Sequence, residues 1–282
     1  MKVIWYQGEF IEADGREISH QNRGFRFGDG FFETMRIIDG RVCFFDAHFN
    51  RIVKTAAAFK MTVPAGFTRE YLNDLLKELF ERNGIRQGGR ARITVARAGD
   101  GFYLPESSDF EIVAECIPLD LNHYTLNQNG YSVDIYPDLR KQVNAFSPFK
   151  TLNCHVYVMA SIYAKEKGLG DCLIQNDKFG IIESTNSNLF IVSNGVLYTP
   201  ALEDGCIGGI MRMQLINLAL DNKMKVYECS LNPQNLLTAD EIFLSNAVKG
   251  IQWVGSYRTK RYFYETAKKM TQILNVSLRE TV

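Results

Sequence analysis

The sequence has no excess of charge of either sign and no long hydrophobic run. Lysine and arginine together number 32 and aspartate and glutamate number 32, so the formal net charge is zero at pH 7. A balanced chain offers no broad positive field to nucleic-acid phosphates, so we expect no nucleic-acid partner. The longest charge-free stretch, residues 184–202, contains three asparagines and a proline. Because these groups are costly in a bilayer, we also expect no membrane segment.

Closely spaced cysteines are absent as well. The six cysteines are scattered along the chain without a C-x-x-C pair, which favours free thiols in a reducing compartment. The first ten residues contain charged and polar side chains where a secretory signal peptide needs a continuous apolar core. Together these features predict a cytoplasmic protein.

Several motifs that mark common catalytic sites are missing. The four histidines show no H-E-x-x-H or H-x-H spacing, so we expect no metal site. There is no G-x-S-x-G elbow that would support nucleophilic hydrolysis. No G-x-G-x-x-G lies between a strand and a helix, and no Walker loop is present, which disfavours nucleotide-binding folds that use these loops.

The composition is that of a globular protein with two cores. A chain of 282 residues with 46% hydrophobic side chains is long enough for two domains. Turn signals and apolar patterning predict an α+β fold with hairpins rather than an alternating βαβ array. We predict a small N-terminal α+β domain over residues 1–117, a linker over residues 118–128, and a larger C-terminal domain over residues 129–282 that carries Lys150.

Local signals place the main helices and turns. Asp46 and Thr68 are predicted to cap two helices in the first domain. A third helix is predicted over residues 152–167, and Gly168 can end it in a left-handed conformation. Asn194 and Gly195 form a strong hairpin signal between two strands.

Lys150 is the first candidate for chemistry. It lies between an apolar strand end and the predicted start of a helix, where partial burial would lower its pKa and free its amine to form a Schiff base. Taken alone, a lysine here is more often a solvated residue at the start of a helix. The functional interpretation therefore depends on the other candidates.

Glu183 is the second candidate. It follows two isoleucines and precedes Ser184, Thr185 and Asn186, so its carboxylate is set in a strand-like segment among small hydrogen-bonding residues. Such an acid can pair with a buried cation, and a pyridinium nitrogen is one such cation. The alternative is an exposed glutamate at the edge of a strand.

A third group of residues could bind phosphate. Arg51 lies three residues after His48 on the first predicted helix, so the two side chains share a face. Gly208 and Gly209 precede Ile210 at the start of another predicted helix, where free N–H groups attract anions. The alternatives are a surface arginine and an ordinary glycine turn.

These candidates occur within an ordered set of short motifs. The set resembles the fold-type IV family of pyridoxal-phosphate enzymes, which includes branched-chain and D-amino-acid aminotransferases and 4-amino-4-deoxychorismate lyase. The resemblance implies a two-domain fold like that of the D-amino-acid aminotransferases. The motifs comprise residues 27–33, 48–51, 150–153, 183–190, 198–200 and 209–212.

The resemblance implies specific roles for the candidates. Lys150 would bind the pyridoxal 5'-phosphate aldehyde and then move protons, and Glu183 would keep the pyridine nitrogen protonated. Further contacts to the cofactor, including its phosphate, would come from the side chain or backbone of Arg51, Asn188, Ile210, Met211, Asn246 and Ala247.

Departures from the family patterns bear on the reaction. Phe32 stands where D-amino-acid enzymes have a tyrosine, and His155 stands where branched-chain enzymes have one. The segments 209–212 and 246–247 resemble the lyase, which favours release of pyruvate and 4-aminobenzoate. A transaminase, with the branched-chain type ahead of the D-amino-acid type, is the alternative, and a cofactor-binding module without turnover is the least favoured.

The resemblance also implies candidates for substrate and partner. Arg36, Arg97 and Phe32 are the predicted substrate-binding residues, because a substrate with two carboxylates needs cations. For the two arginines, structural ion pairs are an equally good interpretation. Arg212 is assigned to the structure of its helix. Family members are typically homodimers, so we expect a homodimer that acts on a small-molecule amino substrate.

Overall fold

The computed structural model describes residues 2–15 and 18–280, which divide into two compact units. The first unit runs to His123 and also includes Phe149–Asn153, and the second comprises Tyr124–Pro148 and the chain from Cys154 onward. The division after His123 lies inside the predicted linker, residues 118–128. The sequence predicts Lys150 in the C-terminal domain, whereas the structure includes it in the first unit.

The first unit is built on a mixed arrangement of hairpins and helices. Its described strands form a six-stranded antiparallel sheet in the order β2-β1-β6-β5-β3-β4. The strands are β1 (Val3–Tyr6), β2 (Glu9–Glu12), β3 (Gly30–Ile38), β4 (Arg41–Val42), β5 (Gly89–Arg97) and β6 (Phe110–Pro118). The helices are α1 (Arg23–Phe27), α2 (Phe45–Ala58) and α3 (Arg69–Arg82).

The core of the first unit lies between the sheet and helices α2 and α3. Apolar side chains at helical spacing on both helices, such as Ile52 and Leu76, are fully buried against alternate residues of β5, such as Ile93. Thr68 caps α3 as predicted, since its side chain accepts a hydrogen bond from the Tyr71 N–H. The predicted cap at Asp46 is wrong.

Helix α2 begins one residue before Asp46. Phe44 occupies the cap position in a left-handed conformation, with φ at 56°, and no side chain caps the helix. Asp46 instead lies in the first turn, where a carboxylate stabilises the positive end of the helix dipole. An acid therefore does mark the start of this helix, but the predicted cap lies two residues after the observed one at Phe44.

The second unit contains a nine-stranded mixed sheet in its described residues. Its strands are β7 (Tyr131–Ile135), β8 (Asp171–Gln175), β9 (Ile181–Ser184), β10 (Asn188–Ser193), β11 (Val196–Thr199), β12 (Val226–Glu228), β13 (Glu241–Asn246), β14 (Gly250–Tyr257) and β15 (Lys260–Arg261). Its helices are α4 (His155–Glu166), α5 (Ile210–Asp221), α6 (Pro233–Thr238) and α7 (Glu265–Glu280), with a 3-10 turn at Leu202–Asp204.

Helix α4 starts later than predicted. The sequence predicts a helix over residues 152–167, but α4 begins at His155 because the preceding segment pairs with strand β3 instead. The end is as predicted, with Gly168 at a φ of 65°. Asn194 and Gly195 also adopt positive φ values of 51° and 74°, as the hairpin between β10 and β11 requires.

The described residues contain no helix that is both long and apolar enough to cross a bilayer. The cysteines are all free thiols, four of them buried.

The central strands β8, β9, β10 and β13 are buried along most of their length, and Phe190 and Phe243 stack with ring centroids 5.0 Å apart. Glu183 pairs with Ile174 of β8 on one side and with Asn188 of β10 on the other, so its backbone is held from both sides.

Candidate active site

Lys150 is held at the edge of strand β3 in the first unit. The Phe32 N–H donates to the Lys150 carbonyl oxygen at 2.9 Å, and the Leu152 N–H donates to the Gly30 carbonyl oxygen at 3.0 Å. Gly30 is required here, because a side-chain carbon at this position would clash with the Val95 carbonyl oxygen. These contacts fix the Lys150 backbone, while its side chain is half-buried.

The side chain of Lys150 lies over an aromatic ring. Its ammonium nitrogen is 4.5 Å from the centroid of Phe32, and the guanidinium carbon of Arg92 is 3.9 Å from the same centroid. Arg92 lies on β5 opposite Thr34, and its Nε donates to the Thr94 hydroxyl at 3.1 Å. The sequence did not single out Arg92, because its proximity to Phe32 depends on the pairing of β3 with β5.

Arg51 is bound to Glu33 by two charge-assisted hydrogen bonds. Arg51 Nε lies 2.5 Å from Glu33 Oε1, and its terminal nitrogen lies 2.8 Å from Oε2. His48 Nδ1 lies 2.8 Å from the same Oε2. Burial raises the pKa of Glu33, but Arg51 and His48 outweigh burial and bring it down to about 2. Because the ionised carboxylate can only accept, His48 carries its proton on Nδ1.

The two predicted substrate arginines are buried in the first unit and have internal partners. A terminal nitrogen of Arg36 donates to the Leu121 carbonyl oxygen. Arg97 Nε lies 2.9 Å from the Asp29 carboxylate, and its terminal nitrogen donates to the Phe59 carbonyl oxygen at 2.7 Å. These contacts support the alternative given by the sequence, in which Arg36 and Arg97 make structural interactions and do not bind substrate.

Glu183 is the centre of a buried polar cluster in the second unit. Its Oε1 accepts from Lys141 Nζ and from the Tyr157 hydroxyl, both at 2.8 Å, and its Oε2 accepts from the Ile207 N–H at 2.8 Å. The carboxylate is 3% exposed and the Lys141 side chain 13%. The predicted exposed strand-edge alternative is therefore wrong, because β9 lies inside the sheet.

The start of helix α5 is organised by Asn188. Its Nδ2 donates to the Ile207 carbonyl oxygen at 2.7 Å, and a side-chain carbon at Gly209 would clash with its Oδ1. No side chain caps α5, so the N–H groups of Ile210 and Met211 have no acceptor within the helix. Such a glycine-preceded helix start is suited to an anion.

Asn246 and Ala247 form an ordered turn after β13. Asn246 Oδ1 accepts from the N–H groups of Val248 and Lys249 at 3.0 and 2.8 Å, and the Ala247 carbonyl oxygen accepts from the Tyr124 hydroxyl at 2.7 Å. Ala247 can offer an external acceptor only its backbone N–H, because its methyl side chain has no donor. The turn is therefore preorganised by side chains of its own unit.

Arg212 serves its helix, as the sequence suggested. One terminal nitrogen donates to the Pro200 carbonyl oxygen at 2.7 Å and to Glu228 at 2.6 Å. The residue is buried, so these bonds tie α5 to the segment after β11. Its place in the motif 209–212 thus has a structural reason.

The two units offer complementary chemistry, each by itself. The first provides a half-buried lysine beside an aromatic ring and a buried arginine with a fixed orientation. The second provides a buried carboxylate that accepts three hydrogen bonds and an uncapped helix start, which suit a ring cation and a phosphate. Within residues 2–15 and 18–280, no group of three or more histidine, cysteine, aspartate or glutamate side chains could hold a metal ion. The groups of each unit, taken by themselves, fit part of a phosphorylated pyridine cofactor.

Comparisons with known proteins agree with this donor set. The family model described as amino-transferase class IV matches residues 30–257. A candidate branched-chain-amino-acid aminotransferase of Methanocaldococcus jannaschii is 29% identical over 249 residues, covering 88% of this chain and 85% of the relative. A D-alanine aminotransferase of Staphylococcus haemolyticus is 28% identical over 249 residues, covering 87% and 86%.

A solved structure extends the similarity to the fold. A candidate 4-amino-4-deoxychorismate lyase from Legionella pneumophila matches with a TM-score of 0.79 and 26% identity, over 93% of this chain and 96% of that chain. The predicted α+β fold of type IV and the predicted pyridoxal 5'-phosphate cofactor are thereby confirmed. The chain belongs to the class IV aminotransferase family of pyridoxal-phosphate-dependent enzymes.

Proposed function

We propose that this enzyme is a 4-amino-4-deoxychorismate lyase, which releases pyruvate and forms 4-aminobenzoate. The observation that carries the proposal is the Phe32 ring, which has Lys150 at 4.5 Å and Arg92 at 3.9 Å from its centroid. An aromatic ring offers a flat apolar wall to a six-membered carbocycle, and arginine offers a planar fork to a carboxylate. The segments 209–212 and 246–247, which resemble the lyase, support the same choice.

The residues of the first unit are proposed to bind the cofactor and move protons. Pyridoxal phosphate supplies an aldehyde that takes up an amine and a ring that withdraws electrons from the neighbouring carbon. Lys150 would hold this aldehyde and would also accept the proton that leaves the substrate ring. Arg51, oriented by Glu33, binds the phosphate.

The residues of the second unit are proposed to hold the ring and the phosphate. Glu183 accepts a hydrogen bond from the ring nitrogen and keeps it protonated, which an amide could not do. The N–H groups of Ile210 and Met211 bind the phosphate, with a further backbone contact at the Asn246-Ala247 turn. Asn188 keeps the loop before α5 in the shape that this contact needs.

The chemistry of the substrate explains why no second substrate is required. The substrate ring loses a proton to Lys150, and the bond between the ring carbon and the oxygen of the three-carbon side chain breaks. The side chain leaves with that oxygen and becomes pyruvate after gaining a proton. The atoms of the substrate equal those of the two products. Because the product ring is aromatic, release is strongly favourable.

The lyase proposal is tested by supplying the substrate with saturating cofactor and no keto acid. We expect equal amounts of pyruvate and 4-aminobenzoate. Pyruvate is measured by its coupled enzymatic reduction, and 4-aminobenzoate is measured by its fluorescence. The absence of both products from folded, cofactor-loaded enzyme would overturn the proposal. Lys150→Ala provides the inactive control.

A transaminase is the second candidate, and the 28–29% identity to aminotransferases favours it. The branched-chain type is ahead of the D-amino-acid type because Phe32 lacks the hydroxyl of the latter. A transaminase converts the bound cofactor to its pyridoxamine form when given an amino acid alone. An absorption spectrum that stays unchanged across L- and D-amino acids would exclude it.

We also propose that the enzyme is a homodimer. The loop after β5 carries three exposed apolar side chains, Phe102, Tyr103 and Leu104, at 79%, 92% and 85% exposure. Arg23 holds the base of this loop by donating to the Phe102 carbonyl oxygen at 2.8 Å. An exposed cluster of apolar side chains is typical of an interface. Sedimentation of the wild type and of Leu104→Ser tests this, and a monomeric wild type would contradict it.

A further inference from the structure

Lys141 is a lysine that the sequence did not single out, and it lies inside the second unit. Its ammonium donates to Glu183 Oε1 at 2.8 Å and to the Ser147 carbonyl oxygen at 3.0 Å. Its backbone is fixed to strand β8, because its N–H donates to the Gln175 carbonyl oxygen at 2.9 Å. Only 13% of the side chain is exposed. The cation is therefore held in place and is not a mobile surface charge.

The contacts of Glu183 leave one acceptor position. Each carboxylate oxygen can accept two hydrogen bonds. Oε1 accepts from Lys141 and Tyr157, whereas Oε2 accepts from the Ile207 N–H. Among the residues that the structure describes, Oε2 thus keeps room for one further donor, which suits the N–H of a protonated ring.

Lys141 supplies the positive charge in direct contact with Glu183. Tyr157 and Cys206, which lie beside the pair, are neutral, since burial and the adjacent Glu183 raise the pKa of Tyr157 and bring that of Cys206 to about 12. Arg212 and Asp204 act on Cys206 with opposite signs. Glu183 and Lys141 therefore form a pair with no net charge.

We propose that Lys141 is a positioning residue that neutralises Glu183 and limits how tightly the site holds a proton on the cofactor ring nitrogen. This inference rests on the placement of Glu183 at that nitrogen in the proposed function. A protonated ring beside a neutral pair gains less than one beside a lone buried carboxylate, since Lys141 repels it. The ring accordingly releases its proton at lower pH and withdraws electrons less strongly.

The test is an NMR titration of holoenzyme loaded with pyridoxal phosphate that carries nitrogen-15 in the ring. The ring-nitrogen shift is followed with pH in the wild type, Lys141→Met, Lys141→Arg and Glu183→Gln. We expect the midpoint of Lys141→Met to lie about one pH unit or more above that of the wild type. Lys141→Arg, which keeps the charge, should titrate like the wild type. Lys178→Met, which removes an exposed lysine, is the matched control.

Each outcome discriminates between the two assignments. If Glu183→Gln moves the midpoint and Lys141→Met does not, the inference about Lys141 fails while Glu183 remains at the ring. If neither variant moves it, the placement of Glu183 fails as well. Both results are independent of the product assay, so a failed lyase proposal is recognised separately.

Two further variants separate charge from packing. Tyr157→Phe removes a neutral donor from the same Oε1 and should shift the midpoint less than Lys141→Met. An equal shift would show that the charge of Lys141 is not the cause, which overturns the inference. If Lys141→Met does not fold, Lys141→Gln keeps a donor without the charge and takes its place in the comparison.

Discussion

Glu33 accepts two hydrogen bonds from Arg51, with Oε1 2.5 Å from Nε and Oε2 2.8 Å from a terminal nitrogen. The strand residue thereby sets the direction of the helix residue. Both side chains are largely buried, with 2% and 11% exposure. An arginine bound in this way presents a fixed cation to a phosphate without first losing side-chain freedom.

Glu33→Gln is expected to destabilise the protein and weaken cofactor binding. Removing one partner of a buried ion pair leaves the other charge uncompensated, which costs about 3 kcal/mol. Urea unfolding measures this loss, and fluorescence titration measures the affinity for pyridoxal phosphate. Glu78→Gln removes an exposed partner of Arg82 and should change stability by less than about 0.5 kcal/mol. Equal effects of the two variants would contradict the proposed role of Glu33.

The same pair predicts a pH dependence of stability. The pKa of Glu33 falls from 4.5 to about 2 on folding, so its contribution is complete above pH 4.5 and is lost as the pH falls toward 2. The difference in unfolding free energy between wild type and Glu33→Gln should therefore be constant at neutral pH and shrink in this acidic window. A difference that stays constant down to pH 2 would show that the ion pair is not its source.

Gly209→Ala is expected to weaken binding of the cofactor phosphate. A methyl group at this position would clash with Asn188 Oδ1, so the loop before α5 must shift. Overpacking of this kind costs about 1–3 kcal/mol, which corresponds to a loss in affinity of about five- to 150-fold. At Gly208 an added carbon lies 3.6 Å from the nearest atom, so Gly208→Ala is the matched control. A Gly209→Ala enzyme with wild-type affinity would rule out this cradle.

Lys150→Ala should lose the covalent link to the cofactor while keeping the fold. Borohydride reduction of the wild type with pyridoxal phosphate should add one cofactor mass, located on the peptide that contains Lys150. Lys165→Ala, on the exposed face of α4, should still be labelled. An adduct that persists in folded Lys150→Ala would place the reactive amine elsewhere.

Arg92→Gln should raise KM for a dicarboxylate substrate more than it lowers kcat. Loss of a charge-assisted hydrogen bond costs about 1.5–3 kcal/mol, or about ten- to a hundredfold in KM. Arg92→Lys should recover part of the loss, and Arg86→Gln, at an exposed arginine, should have no effect. An unchanged KM in Arg92→Gln would show that Arg92 does not bind the substrate carboxylate, and Arg36 and Arg97 would then be the remaining candidates.

The sequence predicts much of the fold but less of the site. Hairpins and helices follow from local signals, such as the Thr68 cap and the Asn194-Gly195 turn, because these depend on neighbouring residues. Lys150 and Glu183 were identified because they lie in short motifs that occur in the same order as those of the family. Lys141 was missed because it joins Glu183 across 42 positions of sequence, and no short-range pattern records that contact.

Strand pairing accounts for the other differences. Arg92 reaches Phe32 only because β5 pairs with β3 in a particular register. The start of α4 was predicted too early because the segment before it pairs with β3, and no local pattern records that pairing. Arg36 and Arg97 were suggested as substrate anchors from their motifs, but their partners are carbonyl oxygens and a carboxylate far along the chain.

The segment Phe149–Asn153 has a consequence for synthesis and for truncation. It completes the exposed edge of β3, although the residues on either side of it belong to the second unit. A nascent chain that has reached only His123 therefore lacks one border of its first sheet, and that sheet becomes whole only after Asn153 has left the ribosome. For the same reason, a cut at residue 123 does not yield two independent modules, because the C-terminal piece would carry the lysine away from strand β3, which fixes its backbone.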